Sequence, residues 1–389
     1  MSSYILSNDN RFYAALETAY GQAASVTSAN RYPAVQLTAK QVLQQGQRRD
    51  KTGSRTFLGT PSTARRNTAF QTQTYLTSWS GTGAPSYGPL FQAAMGGTPT
   101  LSTQLSVSQV SSQTSLQTAT PHNLSVGSGV SWNNEIRFIT GTPDASTLTL
   151  NAAFTNTIIV GSTLLPTITY SLATNLSSLT LYDYWDPSTA VQRIITGAGV
   201  DTFELTLNGD FHEFTFRGPA SDVIDSTSFM AGTAGLFAFP AEPALASFDY
   251  SVVPGHLGEF WMGGPTNQFF TLTGAQMQLS NSLDTRHREY GATLPLALSP
   301  GMRHVVSQIT LLAQTDAQTA ALYQAARSRT PVPAMLQLGQ QQGQLMGVYL
   351  PNVQPEIPIY NDSEYRLQWS FQNNLAQGQA DDELYIAFA

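Results

Sequence analysis

The side chains best suited to acid–base or metal chemistry are the five histidines, and their spacing argues against both uses. They are scattered along the chain, at His122, His212, His256, His287 and His304. None of them has the H-x-H or H-E-x-x-H spacing that presents two imidazoles to one zinc ion. His212 and Glu213 are neighbours in a predicted strand, so their side chains would point to opposite faces of a sheet. We therefore expect structural or solvated histidines and no metal site.

Nucleophilic and nucleotide-binding motifs are also missing from the sequence. There is no G-x-S-x-G elbow, and serine is too frequent for a single serine to indicate a nucleophile. Gly197-Ala198-Gly199 lacks the third glycine and the following helix of a dinucleotide site. The only lysines are Lys40 and Lys51, so no P-loop lysine exists. We expect no cofactor.

Paired carboxylates could in principle serve a glycosidase, which needs two carboxyl groups roughly 5 to 10 Å apart. Asp183 with Asp186, or Asp222 with Asp225, could supply them. The run Asp381-Asp382-Glu383 lacks the glycine and carbonyl pattern of a calcium loop, so an acidic surface is the simpler interpretation. The five tryptophans could line a sugar platform, but their placement in predicted strands favours packing. Catalysis is not supported, and we expect a protein that is not an enzyme.

The composition indicates a polar protein that relies little on charge. Charged residues make up 11% of the chain, against the usual quarter, and Ser, Thr, Gln, Asn and Gly take their place. This is typical of extracellular β-proteins and of particles whose surface is covered by sister subunits. There is no cysteine, no signal-peptide pattern and no run of roughly 20 apolar residues. We expect no membrane span, and a soluble chain kept in a cytosol until it assembles.

The charge that is present is unevenly distributed. Residues 1–66 carry nine lysines and arginines against three carboxylates, a net charge of +6 that leaves −13 for the rest. From Asn67 to Asn134 there is no formal charge. A basic N-terminal arm on an acidic body favours head-to-tail self-association over nucleic-acid binding. A merely solvated basic loop is the alternative.

The stretch 274–357 predicts two strands, a helix and two further strands. Thr315-Asp316-Ala317-Gln318 has the pattern of a capping box, with Thr315 at the N-cap, and Pro331 and Pro333 would stop the helix. Alternating apolar and polar residues predict the four strands, over 275–283, 305–312, 336–338 and 345–350.

A similar order of elements occurs in the first half once an insert is set aside. A strand over 68–77 precedes a short helix over 88–95, with Pro89 in its first turn and Gly96-Gly97 at its end. After the insert, Asn208-Gly209 has the pattern of a two-residue hairpin turn. It would join the last two of four predicted strands, over 178–184, 191–197, 201–207 and 210–216.

The sequence therefore predicts a mainly β protein with a few short helices. We expect two β-barrel or sandwich modules, each flanked by a helix, together with a small inserted β domain. The repeated order of elements is interpreted as a weak internal duplication. The predicted divisions are a first module over 1–100 and 171–231, the insert over 101–170, a Gly-, Pro- and Ala-rich linker over 232–273, and a second module over 274–389.

This order of elements resembles the major tail tube proteins of long-tailed bacteriophages. The likeness spans the chain outside the insert and rests on three parts. The first is the run 8–17 with Arg48 to Arg55, and the second is the strand 68–76 with the helix that ends at Gly96-Gly97. The third is the C-terminal module, with 279–283, the helix at 316–329 and 347–353.

The resemblance implies a structural virion protein whose barrels are joined around a ring by long hairpins. The rings would stack into a hollow tube through which DNA passes to the host. Related proteins form hexameric rings of single barrels or trimeric, pseudo-hexameric rings of fused pairs, and the two halves here favour the trimer. The implied partners are the chain itself, other tail proteins at both tube ends, the tape measure protein in the lumen, and DNA in transit. The implied location is the phage tail, assembled in the host bacterial cytoplasm, with the insert on the outside.

Two groups of site residues follow from the resemblance and the charge distribution. Basic residues of the arm are expected to contact the next ring, at Arg48, Arg49, Lys51, Arg55, Arg65 and Arg66. Carboxylates are expected to face the lumen, where repulsion keeps DNA from adhering, at Asp201, Glu204, Asp210, Asp284 and Glu289. For each carboxylate, facing the outer solvent is the alternative.

Other functions remain open at this point. A tail-tip or fibre component that binds a receptor or carbohydrate predicts discrete oligomers and ligand contacts through exposed aromatic residues. A polysaccharide-degrading enzyme predicts a carboxylate pair whose removal abolishes activity, and a hub or terminator predicts the same fold in a single ring. Low charge, Gln-rich strands and a basic arm on an acidic body favour a polymer.

Overall fold

The structure, a computed structural model, is dominated by antiparallel strands, as the alternation of apolar and polar residues predicts. It describes residues 4–44, 46, 49–57, 59, 64–79, 83–207, 209–245, 250–363 and 365–389. Within these ranges there are two α-helices, α1 (Gly88–Met95) and α2 (Ala317–Ser328). Neither of them, nor any other described stretch of helix, is long and apolar enough to cross a membrane.

The strands are numbered in chain order. Up to residue 101 they are β1 (Asn10–Leu16), β2 (Arg31–Tyr32), β3 (Ala34–Gln44), β4 (Arg65–Tyr75) and β5 (Thr100–Leu101). Residues 105–164 contain β6 (Leu105–Ser112), β7 (Ser115–Thr118), β8 (Gly129–Trp132), β9 (Glu135–Gly141), β10 (Thr147–Leu150) and β11 (Thr163–Leu164). Residues 168–225 contain β12 (Ile168–Ser171), β13 (Leu179–Trp185), β14 (Arg193–Ala198), β15 (Thr202–Leu207), β16 (His212–Ala220) and β17 (Asp222–Asp225). The remainder are β18 (Gly258–Met262), β19 (Leu272–Ser280), β20 (Asp284–Thr285), β21 (Leu298–Ser299), β22 (His304–Leu312), β23 (Val332–Leu338), β24 (Met346–Gln354), β25 (Ile359–Asn361), β26 (Gln368–Ala376) and β27 (Tyr385–Phe388).

The largest sheet has 14 strands and curls into a nearly closed barrel. Its main path is β3-β4-β16-β15-β19-β22-β26-β24-β27-β12-β5. Three strands lie off this path: β23 pairs with β24, β18 pairs with β23, and β25 pairs with β26. β15 and β19 pair from Thr202 with Ser280 to Leu207 with Ala275, so one sheet runs through both predicted modules. The predicted strands in this region are present, with ends shifted by a few residues.

Helix α1 packs against β12 of the large sheet and against β1 and β13, and its buried side chains belong to the main apolar core. Leu90, Phe91 and Met95 are fully buried, and Pro89 occupies the first turn, where a missing N–H is harmless. Gly96 ends the helix with φ 86°, and a Cβ there would lie 2.4 Å from the carbonyl oxygen of Asn175. Only glycine allows the backbone of residue 96 to come this close to Asn175. The predicted helix and its end at Gly96 are both confirmed.

A second sheet, of five strands, has the order β17-β14-β13-β1-β2. Its strand β1 pairs with β13 on one side, and Tyr13 is fully buried, so the N-terminal strand belongs to the body of the fold. The described residues between β3 and β4 contain no strand. Residues 234–242 of the predicted linker pack on the second sheet, where Glu242 accepts bonds from Arg11 and Tyr13. The rest of the predicted linker is not a simple connection, because it contains β18 and the first residues of β19, which belong to the large sheet.

Residues 105–164 form a sheet of their own, with the order β11-β6-β7-β10-β9-β8 and a separate apolar cluster. The strands that enter and leave this region, β5 and β12, pair with each other through Leu101 and Ile168. The insert is also held to the barrel, because Phe138 stacks on Tyr349 with ring centres 5.3 Å apart.

Two local predictions need correction. Helix α2 begins after Asp316, not Thr315, because the Asp316 carboxylate accepts the backbone N–H of Thr319 at 2.6 Å. The hairpin of β15 and β16 closes at the pair Leu207–His212, so four residues, 208–211, join the strands instead of two. Asn208 lies outside the described residues. Contacts beyond the hairpin account for the longer loop, since residues 210 and 211 pair with Pro254 and Gly255.

Candidate assembly site

One face of the large sheet is polar across five strands, while the other face forms the core. The two-residue period of a strand puts Phe203 and Leu205 into the core and leaves Glu204 between them on the opposite face. The register aligns such outward residues into three rows across β4, β16, β15, β19 and β22. The rows are Gln71–Arg217–Thr202–Ser280–His304, Gln73–Thr215–Glu204–Gln278–Val306, and Tyr75–Glu213–Thr206–Gln276–Gln308.

Charges on this polar face are held by neighbouring side chains. Arg217 Nη2 lies 2.5 Å from Glu204 Oε2, and Gln276 Nε2 donates to the other oxygen of Glu204. Glu213 accepts a bond of 2.9 Å from Gln73 Nε2. The face therefore presents mostly amides and hydroxyls, with its few charges engaged in lateral bonds between strands.

The five carboxylates predicted to face a lumen are not gathered in one place. Glu204 is on the polar face, and Asp201 just precedes β15 and accepts the backbone N–H of Leu283 at 2.7 Å. Asp210 lies in the loop at the other end of β15. Asp284 and Glu289 lie beyond β19, in the segment that begins with β20.

The basic residues predicted to contact a neighbouring ring fall into two groups. Arg66 binds both carboxylate oxygens of Asp222, at 2.9 and 3.1 Å, and Arg65 donates to the carbonyl oxygen of Glu289. Arg49, Lys51 and Arg55 are exposed and form no ion pair with another described residue. Arg48 lies outside the described residues. Nothing in the local sequence could have revealed the Asp222 partner, which is 156 residues from Arg66.

Three of the four carboxylates considered for catalysis, Asp183, Asp222 and Asp225, have structural partners. Asp183 lies 2.5 Å from Arg193 Nη2, and Asp222 pairs with Arg66. Asp225 accepts bonds from Thr227 and Ser228 in the turn after β17, and these bonds lower its pKa to about 2. The run at 381–383 is likewise engaged, because Arg303 lies 2.8 Å from Asp381 and 3.5 Å from Glu383.

A cavity of about 440 Å³ opens beside the end of β15 and the start of β16. It lies at the ends of β15 and β16 that are remote from the start of β4, beside β18, β23 and the start of β19. Its lining combines aromatic rings, amides, two imidazoles and one carboxylate. The described lining side chains include His212, His256, Glu259, Gln268, Phe270 and Gln340.

His212 closes the inner end of this region and is almost fully buried, at 1% exposure. Its Nε2 lies 3.2 Å from the carbonyl oxygen of Leu257, which places the proton on Nε2. Nδ1 is buried without a hydrogen-bond partner among the described residues. Burial lowers the pKa of His212 to about 4, so at neutral pH the ring is uncharged and Nδ1 is a free acceptor.

This burial predicts a stability that depends on pH. Between pH 6.5 and 4 the unfolded chain binds a proton that folded His212 does not, so the free energy of unfolding should fall as the pH drops. The full loss is about 3 kcal/mol. Urea unfolding of the wild type and His212→Gln at pH 7 and pH 5 would measure it, with the partly exposed His287→Gln as control. Equal pH slopes for wild type and His212→Gln would contradict the assignment.

Neither a metal centre nor a relative identifies the site. In the described ranges, no three His, Asp or Glu side chains are grouped so that they could hold a metal ion. No model of a known protein family matches the sequence, and no curated protein matches it either.

Proposed function

We propose that this chain is a structural protein that assembles into stacked rings forming a hollow tube, like those of long-tailed bacteriophages. The observation that carries the proposal is the edge strand β3. It is 11 residues long and pairs only with β4 among the described strands. Its outer backbone groups are thus a ready template for another strand. Exposed Val35, Val42 and Leu43 add apolar surface along it.

The polar face supports the same function. A wall in contact with passing DNA needs side chains that hydrate well without attracting phosphate. Rows of Gln, Thr and Ser on five neighbouring strands meet that need, and Glu204 and Glu213 add local negative charge. The proposal therefore assigns this face to the lumen and the insert over 105–164 to the exterior.

The distribution of charge along the strands supports stacking. Arg49, Lys51 and Arg55 lie in the segment between β3 and β4, at one end of the large sheet. Asp210 and Glu213 lie at the opposite end of β16. Copies placed head to tail would bring these unlike charges together, and a heterologous contact of this kind propagates without closing.

Negative-stain electron microscopy with light scattering on the same sample tests the function. Hollow rods with a regular axial repeat are expected, and rotational averaging separates three subunits per ring from six. Single rings would instead favour a hub or terminator. A chain that stays monomeric at high concentration would remove the proposal and favour a receptor-binding component.

The same assay tests the basic segment. Arg49→Glu with Arg55→Glu should leave the subunit folded and raise the concentration needed for assembly by about tenfold or more, because two charge-assisted contacts are lost. Arg327→Glu with Arg366→Glu is the matched control, since it changes net charge equally at exposed positions elsewhere. Unchanged tube length in the first variant would refute a role for the segment.

A further inference from the structure

Four strands of the large sheet pair on one side only among the described strands, and they differ in how open the other side is. These strands are β3, β5, β18 and β25. The free side of β18 is already occupied by residues 267–269, because Phe269 donates its backbone N–H to the carbonyl oxygen of Phe260 at 2.8 Å. The longest open edge is β3, with 11 residues, and β5 and β25 remain as edges of another copy with which it could pair.

Strand direction separates these two edges. Every neighbouring pair along the large sheet is antiparallel. From β3 the path through β4, β16, β15, β19, β22 and β26 reaches β25 as the eighth strand, so β25 runs opposite to β3. The path to β5 has eleven strands, so β5 runs in the same direction as β3. Copies related by rotation about an axis along the strands keep their directions, and β25 is therefore the edge that continues the antiparallel pattern.

The register shows that the two edges share the polar face. On β3, Thr38 is paired with Gln71, which belongs to that face. On β25, Ile359 is paired with Ser370, whose other partner Thr310 lies on the polar side of β22. Side chains of directly paired residues lie on the same face of a sheet. A rotation that keeps this face toward the axis would thus join β3 and β25 of two copies into one continuous polar wall.

Both edges also expose apolar side chains. On β3 these are Val35, Val42 and Leu43, and on β25 they are Ile359 and Tyr360. Exposed apolar side chains along an unpaired edge favour association with another chain. Pairing the two edges removes this apolar area from water.

Charge distinguishes a contact with β25 from a symmetric contact between two β3 strands. Lys40 lies one residue past the middle of β3 and is exposed. Two β3 strands paired across a two-fold axis would bring their lysines close together, which is unfavourable. Acidic residues flank β25 instead, because Glu356 precedes it and Asp362 follows it. Complementary charge therefore favours β25 as the partner.

β25 is short, but its own chain holds it in place. The ring of Tyr360 lies 5.7 Å from that of Trp369, which in turn lies 5.5 Å from the ring of Tyr323 on α2. Asn361 Nδ2 donates to Gln368 Oε1 at 3.2 Å. Because these contacts already fix the strand, pairing costs little additional conformational entropy.

We propose that β3 of one copy pairs antiparallel with β25 of the next copy around the ring. The proposal rests on the proposed function and deepens it, because it names the strand that receives β3. The contact is heterologous, since each copy contributes β3 on one side and β25 on the other, and rotation closes such a contact into a ring.

Thiol cross-linking tests the contact on the full-length chain, which has no cysteine of its own. Single cysteines are placed on the polar face of β3 by Gln36→Cys, Thr38→Cys or Val42→Cys. Each variant is mixed with an affinity-tagged chain carrying Ile359→Cys, under assembly conditions and with a short bismaleimide. We expect a cross-linked dimer containing one chain of each kind from at least one of these mixtures. Leu101→Cys on β5, at a 53% exposed position, replaces Ile359→Cys in the matched control and should give no such dimer.

A substitution at the edge measures how much the contact contributes to assembly. Ile359→Lys should raise the concentration needed for assembly by about tenfold or more, because it places a second cation against the strand that carries Lys40. Ile159→Lys, at a 64% exposed position of the insert, is the matched control and should leave that concentration unchanged. Melting curves establish that both variants are folded. Equal assembly of the two folded variants would overturn the proposal.

The cross-linking outcomes separate this inference from the proposed function. Dimers linked through two β3 thiols, or through β3 and β5, in place of the β3–β25 product would overturn the contact. Hollow tubes under the electron microscope without any β3–β25 product would remove the contact and keep the tube. A β3–β25 product in single closed rings would keep the contact and remove the tube, and a chain that stays monomeric would remove both.

Discussion

Phe91→Ala should lower the free energy of unfolding by about 3–5 kcal/mol, because it leaves a cavity in the main apolar core. The side chain is fully buried on α1. Six aromatic rings have their centres within 6.0 Å of it, those of Tyr87, Tyr170, Phe203, Phe214, Phe216 and Phe388. Surrounding rings of this size cannot collapse into the space left behind. The lost contacts and the remaining cavity therefore both lower the free energy of unfolding. Urea unfolding followed by tryptophan fluorescence would measure the change.

Phe237→Ala is the matched control for this measurement. Phe237 is 95% exposed, so its truncation should change the free energy of unfolding by less than about 0.5 kcal/mol. A loss below about 1 kcal/mol for Phe91→Ala would contradict the central role of α1 in the core.

Arg137→Met should be comparably destabilising, by about 3–5 kcal/mol, for an electrostatic reason. Arg137, on strand β9 of the insert, is fully buried between the insert and the large sheet, where its guanidinium pairs with Glu135 and lies 4.1 Å from the ring centre of Trp261. It also donates to the carbonyl oxygens of Ile136 and Ala153, at 2.7 and 2.9 Å. Burial lowers the pKa of Arg137, so these partners are needed to hold the charge. Removing the cation leaves Glu135 buried without its partner.

Two comparisons make the Arg137 result interpretable. Arg286→Met breaks an exposed pair with Glu289 and should change the free energy of unfolding by less than about 1 kcal/mol. Arg137→Met combined with Glu135→Gln should recover part of the loss, because the isolated carboxylate is then neutral. A double variant no more stable than Arg137→Met would show that packing against Trp261, not charge, accounts for the effect.

The elements of the fold could be predicted from the sequence because their signals are local. Alternation placed most strands within a few residues, and Pro89 with Gly96 defined α1 at both ends. The pairing of strands carries no such signal. Nothing in residues 10–16 indicates that they would lie against β13, about 170 positions later.

Of the candidate site, the sequence predicted the basic residues but not their partners or the cavity. The exposed cations Arg49, Lys51 and Arg55 follow from the sequence itself. The intrachain pair of Arg66 and Asp222 and the cavity lined by His212 arise only when distant strands meet. His212 could not be singled out, since its unpartnered nitrogen depends on the backbone of Leu257. Long-range geometry, not residue type, creates the acceptor.

The two ends of the insert lie next to each other, so the insert could be replaced by another domain if that domain covers the same apolar surface. Since β5 and β12 are already partners, another domain could be spliced between residues 101 and 168 without stretching the barrel. The replacement would have to cover the surface that Phe138 now shields, around Met335, Tyr349 and Trp261. A particle built from such chains could display a foreign domain only if that domain brings its own apolar underside.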